Sequence, residues 1–169
     1  MEYQLAQLML FCLLNVTSIV ANAYDFSIKN SDGQMIYYNV TNLSDSYTVE
    51  VTHCGYSSSY SGSISIPNSV TYDSQTYSVT SIGYNAFQDC PNLTSVTIGN
   101  SITCIGEYAF YGCSNITSIK VNWKHPLKIN SFVWGGVDKQ KCVLYVPIGT
   151  GTAYYATPIW MDFRRIEEF

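Results

Sequence analysis

The 169-residue chain is poor in charge, in histidine and in long apolar runs, and each shortage removes a class of function. Only 12% of its residues are Asp, Glu, Lys or Arg, and the formal net charge is −4. Nucleic-acid binding rests on clustered Lys and Arg. Here the one crowding of cations is Lys120, Lys124, Lys128, Lys139 and Lys141, with no arginine among them and no motif around them. A solvated rim is the expected role, and no nucleic-acid partner is expected. The two histidines leave little material for proton transfer. His53 adjoins Cys54, but neighbours on a strand point to opposite faces and cannot easily share a proton. His125 precedes Pro126 in a predicted loop. The acidic residues are scattered, Asp89 and Glu107 falling at different repeat positions, so a facing carboxylate pair has no basis. No glycine-rich phosphate loop follows a strand, and Asp25, Asp32 and Asp45 are too loosely spaced for a calcium loop. No catalytic residue, metal site or cofactor is expected, and a hydrolase is the remotest reading.

The longest apolar stretch, residues 8–14, is followed by Asn15, Thr17 and Ser18 and is too short for a comfortable membrane span. With the small-x-small triplet Ala21-Asn22-Ala23 behind it, residues 1–23 read as a signal peptide cleaved near Ala23. The signal is atypical, because no basic residue precedes the apolar run and Glu2 is acidic. Phe11 is too bulky for the residue before a lipoprotein cysteine, so Cys12 is not read as an anchor. The expectation is export, to the periplasm, the cell surface or the medium, with no transmembrane segment in the mature chain. Five cysteines would then remain, Cys54, Cys90, Cys104, Cys113 and Cys142. An odd number at wide spacing resembles neither a disulfide framework nor a zinc site.

What is present in quantity is β-forming material: fifteen tyrosines among abundant Ser, Thr, Val and Ile. Residues 81–103, SIGYNAFQDCPNLTSVTIGNSIT, are followed directly by a second copy, CIGEYAFYGCSNITSIKVNWK. Ile82, Gly83, Ala86, Phe87, Cys90, Leu93, Val96 and Ile98 recur 23 positions on as Ile105, Gly106, Ala109, Phe110, Cys113, Ile116, Ile119 and Val121. Such units cannot bury their own apolar face and must stack. Within a unit, Leu93-x-x-Val96-x-Ile98 predicts a strand with Val96 and Ile98 inward and Ser95 and Thr97 outward. The Ile-Gly-x-x-Ala-Phe-x-x-Cys stretch suits a single helical or 3-10 turn. Cys90 and Cys113 share a repeat position and are expected as stacked buried thiols; pairing would require disulfide geometry outside the core direction.

Around the regular pair, residues 63–71 match the later strand at a longer offset, which predicts an enlarged first repeat with a hairpin inserted at 72–80. A degenerate repeat follows with Ile129, Phe132, Gly136 and the strand Val143-Leu144-Tyr145-Val146, stopped by Pro147. Upstream, 24–28, 35–40 and 47–52 read as strands separated by turns at 30–33 and 42–45. The expected division is a signal peptide (1–23), an N-terminal β-hairpin or meander cap (24–60), repeats (61–146) and a C-terminal cap (147–169). The caps would hide the open ends of the solenoid. The fold class is mainly β with short helical or 3-10 turns: a short leucine-rich-repeat solenoid.

The repeat SIGYNAFQDCPNLTSVTIGNSIT with CIGEYAFYGC resembles the BspA-type leucine-rich repeat of Bacteroides-like bacteria and some mucosal protists. Residues 35–39 resemble that family's N-terminal hairpin, and 142–147 with Gly149, Tyr154, Trp160 and Phe163 its closing segment. Gly99 stands where the family usually has proline, there are only two regular repeats, and no sorting tail follows Phe169. The resemblance implies a non-enzymatic secreted or surface module that binds a protein or glycan. The alternative is a structural, self-associating element of the cell envelope.

The candidate binding face is the outward strand row Ser65, Thr97 and Lys120, flanked by Ser95 and Ser118, against the plainer reading of a solvated surface. Tyr84 and Tyr108, if exposed, are rigid amphipathic anchors; Tyr111 is expected to be buried against the next repeat. Trp123 and Trp134 are expected to pack beneath the cap. Four Asn-x-Ser/Thr sequons, at Asn39, Asn42, Asn92 and Asn115, read as incidental products of a Thr-rich repeat.

Overall fold

Each repeat places a strand on one wall and a short strand or turn on another, and the computed structural model shows how the two walls are built. It describes residues 23–44, 46–55 and 60–169. The expected signal peptide, with Cys12, lies outside the described residues except for Ala23, as do Asp45, part of the predicted 42–45 turn, and residues 56–59.

One wall is a five-stranded parallel sheet in the order β11-β10-β9-β7-β4. Its members are β4 (Gly62–Ile66), β7 (Leu93–Ile98), β9 (Ser118–Val121), β10 (Val143–Val146) and β11 (Arg165–Glu168). Period-two alternation holds in β4, β7, β9 and β10: Ile64, Ile66, Val96, Ile98, Ile119, Val121, Leu144 and Val146 are buried. The other wall is a six-stranded sheet, β1-β2-β3-β6-β5 with β8 on β6. Here β1 (Phe26–Lys29), β2 (Met35–Asn42) and β3 (Thr48–Thr52) form an antiparallel meander. Strand β6 (Gln75–Ile82) lies parallel to both β3 and β8 (Cys104–Ile105). The enlarged repeat is a hairpin, β5 (Ser69–Tyr72) with β6, closed by Asp73 and Ser74 at positive φ. Two successive left-handed residues make the turn whose twist matches paired strands.

The N-terminal meander is more than a cover laid over an edge. Glu50 pairs with Ser81 and Val51 with Ile82, and Ser81 and Ile82 pair in turn with Cys104 and Ile105. Strand β3 is therefore a rung of the solenoid. Inter-rung bonds continue the register: Gly83 N donates to Val51 O at 2.8 Å and Gly106 N to Ile82 O at 2.7 Å. A Cβ on Gly106 would sit 2.6 Å from Tyr84 N, so this glycine is required by backbone approach. Gly99 has its own reason. Its N–H donates to Ile66 O at 3.2 Å, a bond proline cannot make, and any Cβ would collide with Asn68 Oδ1.

The Ile-Gly-x-x-Ala-Phe segments run as consecutive i→i+3 turns, with Ala86 N bonded to Gly83 O and Ala109 N to Gly106 O. Left-handed residues interrupt them at Asn85 and Tyr108, then at Asp89, Gly112 and Gly136, so no continuous helix forms. The turns aim one aromatic ring per rung into the core. Tyr60, Phe87, Phe110 and Trp134 form a column at centroid distances of 4.5, 4.8 and 4.6 Å, the first pair tilted at 48° and the other two stacked. Trp134 then meets Trp160 and Phe163 of the closing segment. The degenerate repeat is thus threaded differently from the expectation. Trp134 fills the buried ring position and Phe132 points to solvent, because Phe110 N bonds Val133 O and so places Val133, not Ser131 or Phe132, opposite the inward residues.

Polar side chains tie the rungs together. Asn115 Nδ2 donates to Pro91 O at 2.7 Å and Asn122 Nδ2 to Ile98 O at 2.9 Å, which gives one sequon asparagine a structural role. The cysteines of the repeat are stacked thiols: Cys113 Sγ donates to Phe87 O at 3.0 Å and Cys90 Sγ to Gln88 O at 3.7 Å. Burial pushes the Cys113 and Cys142 thiols up to about 12.

The closing segment combines α1 (Gly151–Tyr155), a 3-10 turn (Trp160–Asp162) and β11. Tyr154, Trp160 and Phe163 are fully buried, and the polar ends of two of them find carbonyls: Tyr154 Oη donates to Trp123 O and Trp160 Nε1 to Leu127 O. Trp123 and Trp134 are both buried in this end of the core. Glu168 accepts from Gly149 N at 2.9 Å and Gly151 N at 2.7 Å, closing the first turn of α1 in place of Thr150, whose side chain makes no capping bond.

Candidate functional site

Parallel register brings the predicted sheet-face residues into line. Ser65 pairs with Thr97 and Thr97 with Lys120; the row continues through Tyr145 to Glu167. Beside it, Ser63, Ser95, Ser118, Val143 and Arg165 form a second row. In β4, β7, β9 and β10 the side chains of both rows alternate with buried neighbours and stand outward; in β11 Arg165 and Glu167 flank the half-buried Ile166. Serine and threonine offer hydroxyl donors and acceptors at a spacing of about 4.8 Å, one per strand.

The charged end of the face is already organised. Arg165 Nε donates to Glu167 Oε1 at 2.7 Å. The Lys120 ammonium lies 3.5 Å from the centroid of the Phe169 ring, a cation–π contact that steadies an otherwise free side chain. Sequence reasoning found Ser65, Thr97 and Lys120 of the first row and Ser95 and Ser118 of the second, and missed Ser63, Tyr145, Glu167, Val143, Arg165 and Phe169. Arg165-Ile166-Glu167-Glu168 carries a single apolar residue, too little pattern to separate a strand from a tail.

Tyr84 and Tyr108 stand elsewhere. They occupy the turns after β6 and β8, on a different wall from the Ser/Thr rows, with the core between. Tyr84 is 61% exposed and its ring meets that of Tyr108 edge-on at 5.9 Å. Tyr108 also contacts Tyr111 at 5.6 Å and stacks on Phe132 at 5.0 Å. Tyr111 is 39% exposed, which corrects the expectation that it is buried: the stacked core ring of its rung is Phe110, and Tyr111 turns outward with Tyr108. Tyr108 is held at φ 60°, where the preceding rung has Asn85 at φ 57°. Asparagine tolerates this region, whereas a bulky side chain there carries about 1–3 kcal/mol of strain.

Among the described residues no group of three or more His, Cys, Asp or Glu side chains is placed to hold a metal ion. His53 Nδ1 accepts from Gly55 N at 3.0 Å and so serves a local turn. The remaining lysines of the expected rim divide: Lys139 and Lys141 pair with Asp162 and Asp138, while Lys124 and Lys128 are exposed. Among the described residues no helix is long and apolar enough to cross a membrane.

A mainly-β coil of parallel rungs, with an outward polar strand face and an aromatic spine, is a short leucine-rich-repeat solenoid. The chain belongs to the BspA type leucine-rich-repeat family, whose model matches residues 39–133 as six copies. Those copies begin inside β2, in agreement with β3 acting as a rung. Among solved structures, a leucine-rich repeat protein from Bacteroides ovatus is 24% identical with a TM-score of 0.50, covering 85% of this chain and 41% of that one. A leucine-rich repeat protein from Bacteroides capillosus is 22% identical with a TM-score of 0.45, over 72% of this chain and 99% of that one. A leucine rich cell surface protein from Faecalibacterium prausnitzii is 18% identical with a TM-score of 0.44, over 86% and 30%. The chain thus spans about two fifths of the B. ovatus protein's length. None of the curated proteins matches it.

Proposed function

We propose that this chain is a non-enzymatic, exported protein-binding module, and that the outward face of the five-stranded sheet is its contact surface. The observation that carries the reading is the pair of rows Ser65–Thr97–Lys120–Tyr145–Glu167 and Ser63–Ser95–Ser118–Val143–Arg165, held in register by parallel pairing. A regular sheet of short polar side chains presents hydrogen-bonding groups on a rigid frame at low entropic cost, and solenoid sheets are used in this way. Tyr145 and Phe169 add apolar area at the end of the face, the kind of residue that anchors an interface. Family membership and the signal-like residues 1–23 support a location outside the cytoplasm.

The test is photo-cross-linking from a reactive residue placed at Thr97, with Asp32 as a remote control, in an epithelial surface extract. Partners captured only from Thr97 are then titrated against the Thr97→Glu variant. Affinity should fall about tenfold or more, since a buried unpaired charge at an interface centre costs at least that, while the melting temperature holds. Unchanged affinity for every captured partner would remove the sheet face from the binding role.

A further inference from the structure

We propose that the exposed aromatic ledge formed by Tyr84, Tyr108, Tyr111 and Phe132 is a second docking surface, which takes an extended lysine- or arginine-bearing segment of another protein. The ledge crosses three successive rungs, through the turns near residues 84, 108 and 132, with Tyr84, Tyr111 and Phe132 all exposed. Tyr108 is the hub, its ring contacting the other three. Backbone geometry argues that the hub is not there for the fold. The same left-handed position is filled by Asn85 one rung earlier, so asparagine meets the conformational need and a tyrosine strains it. A bulky residue at a strained, half-buried surface position, where asparagine would serve the backbone, points to use of its side chain.

Charge selects the occupant. Glu107 adjoins Tyr108 and, after partial desolvation, is the main influence raising its phenol above the ordinary value. The Glu50 carboxylate lies beside Gly83, next to Tyr84, and the Asp89 carboxylate beside Gly112, next to Tyr111. None of these three carboxylates forms an ion pair among the described residues, whereas Asp138, Asp162 and Glu167 each do. Negative ring faces bordered by unpaired carboxylates attract guanidinium and ammonium groups and repel acidic segments. Rungs repeat about every 4.8 Å, so an extended segment advancing about 3.3 Å per residue meets a new ring roughly every one to two residues.

The experiment titrates the full chain with a fluorescein-labelled ten-residue peptide of alternating arginine and serine, by anisotropy at low ionic strength. The glutamate-for-arginine peptide is the control. The arginine peptide should bind and the glutamate peptide should not. Tyr108→Asn should weaken binding about tenfold and Tyr84→Ala about threefold, with melting temperatures equal to or above that of the unmodified chain. Asp32→Asn and Thr97→Ala, remote from the ledge, should bind as the unmodified chain does, which separates this surface from the sheet face. Failure of the arginine peptide to bind, equal binding of the glutamate peptide, or full affinity in both tyrosine variants would overturn the proposal. So would a Tyr108→Asn chain that loses several degrees of melting temperature while Tyr84→Ala binds normally.

Discussion

Truncating Phe110 to alanine tests the aromatic spine most directly. The ring is fully buried between Phe87 at 4.8 Å and Trp134 at 4.6 Å, nearly parallel to both. Removing it deletes the transfer energy of a phenylalanine and leaves a cavity bounded by two flat rings that cannot close on each other, because hydrogen bonds fix the rung spacing. The expected loss is about 3–5 kcal/mol. At about 2–4 °C per kcal/mol for a chain of this size, the melting temperature should fall by roughly 6–20 °C. Phe132→Ala is the internal control. It removes the same side chain one rung along, but from solvent, and should cost less than about 1 kcal/mol. Urea titrations by circular dichroism measure both. The Phe87→Ala, Phe110→Ala double variant should depart from additivity by about 0.5–1.5 kcal/mol, the worth of one stacked pair beyond its area. Equal costs for Phe110→Ala and Phe132→Ala would refute the assignment of inward and outward rings. A loss below about 1 kcal/mol for Phe110→Ala would refute the spine as a stabilising element.

Acid stability should depend on Glu168. Its carboxylate is held below the ordinary value of 4.5, chiefly by the Gly149 and Gly151 amides. A depressed folded value contributes stability that is full above the unfolded value and lost as pH falls through the folded one. Glu168→Gln should therefore unfold more readily at neutral pH and converge with the unmodified chain in acid; parallel curves across the whole range would count against the cap. Thiol accessibility should divide the cysteines by burial. Exposed Cys104 should react with a maleimide in the native state, while Cys113 and Cys142, buried with thiols raised to about 12, should react only on unfolding. Mass mapping after a brief pulse reads the outcome, and early labelling of Cys113 would show that the repeat core is open.

Much of the solenoid could be read from residue order because its constraints are local. The recurrence of Ile82, Phe87, Cys90, Val96 and Ile98 carries both the period and the inward set, since alternation on a strand is a covalent property of the backbone. The row Ser65–Thr97–Lys120 followed from the same alternation once three strands were placed in register. The inserted hairpin at 72–80 was legible from its polar turn flanked by tyrosines.

Where the period breaks, local pattern loses its authority. Tyr60 stands 27 positions before Phe87 and Trp134 stands 24 after Phe110, yet both rings complete the same stack. Irregular loops absorb the difference in length, and only the hydrogen-bond register across rungs decides which ring turns inward. For that reason Phe132 and Tyr111 are surface residues. The same cause made β3 a rung and β11 the fifth strand of the face: a strand's neighbours are chosen by pairing energy across space, which neighbouring residues in the chain do not encode. Residue order alone determined a mainly-β repeat with a buried apolar column and a polar outer row. The tertiary structure decided where that row ends, which aromatics form the spine and which the ledge, because those choices depend on contacts between segments far apart in the chain.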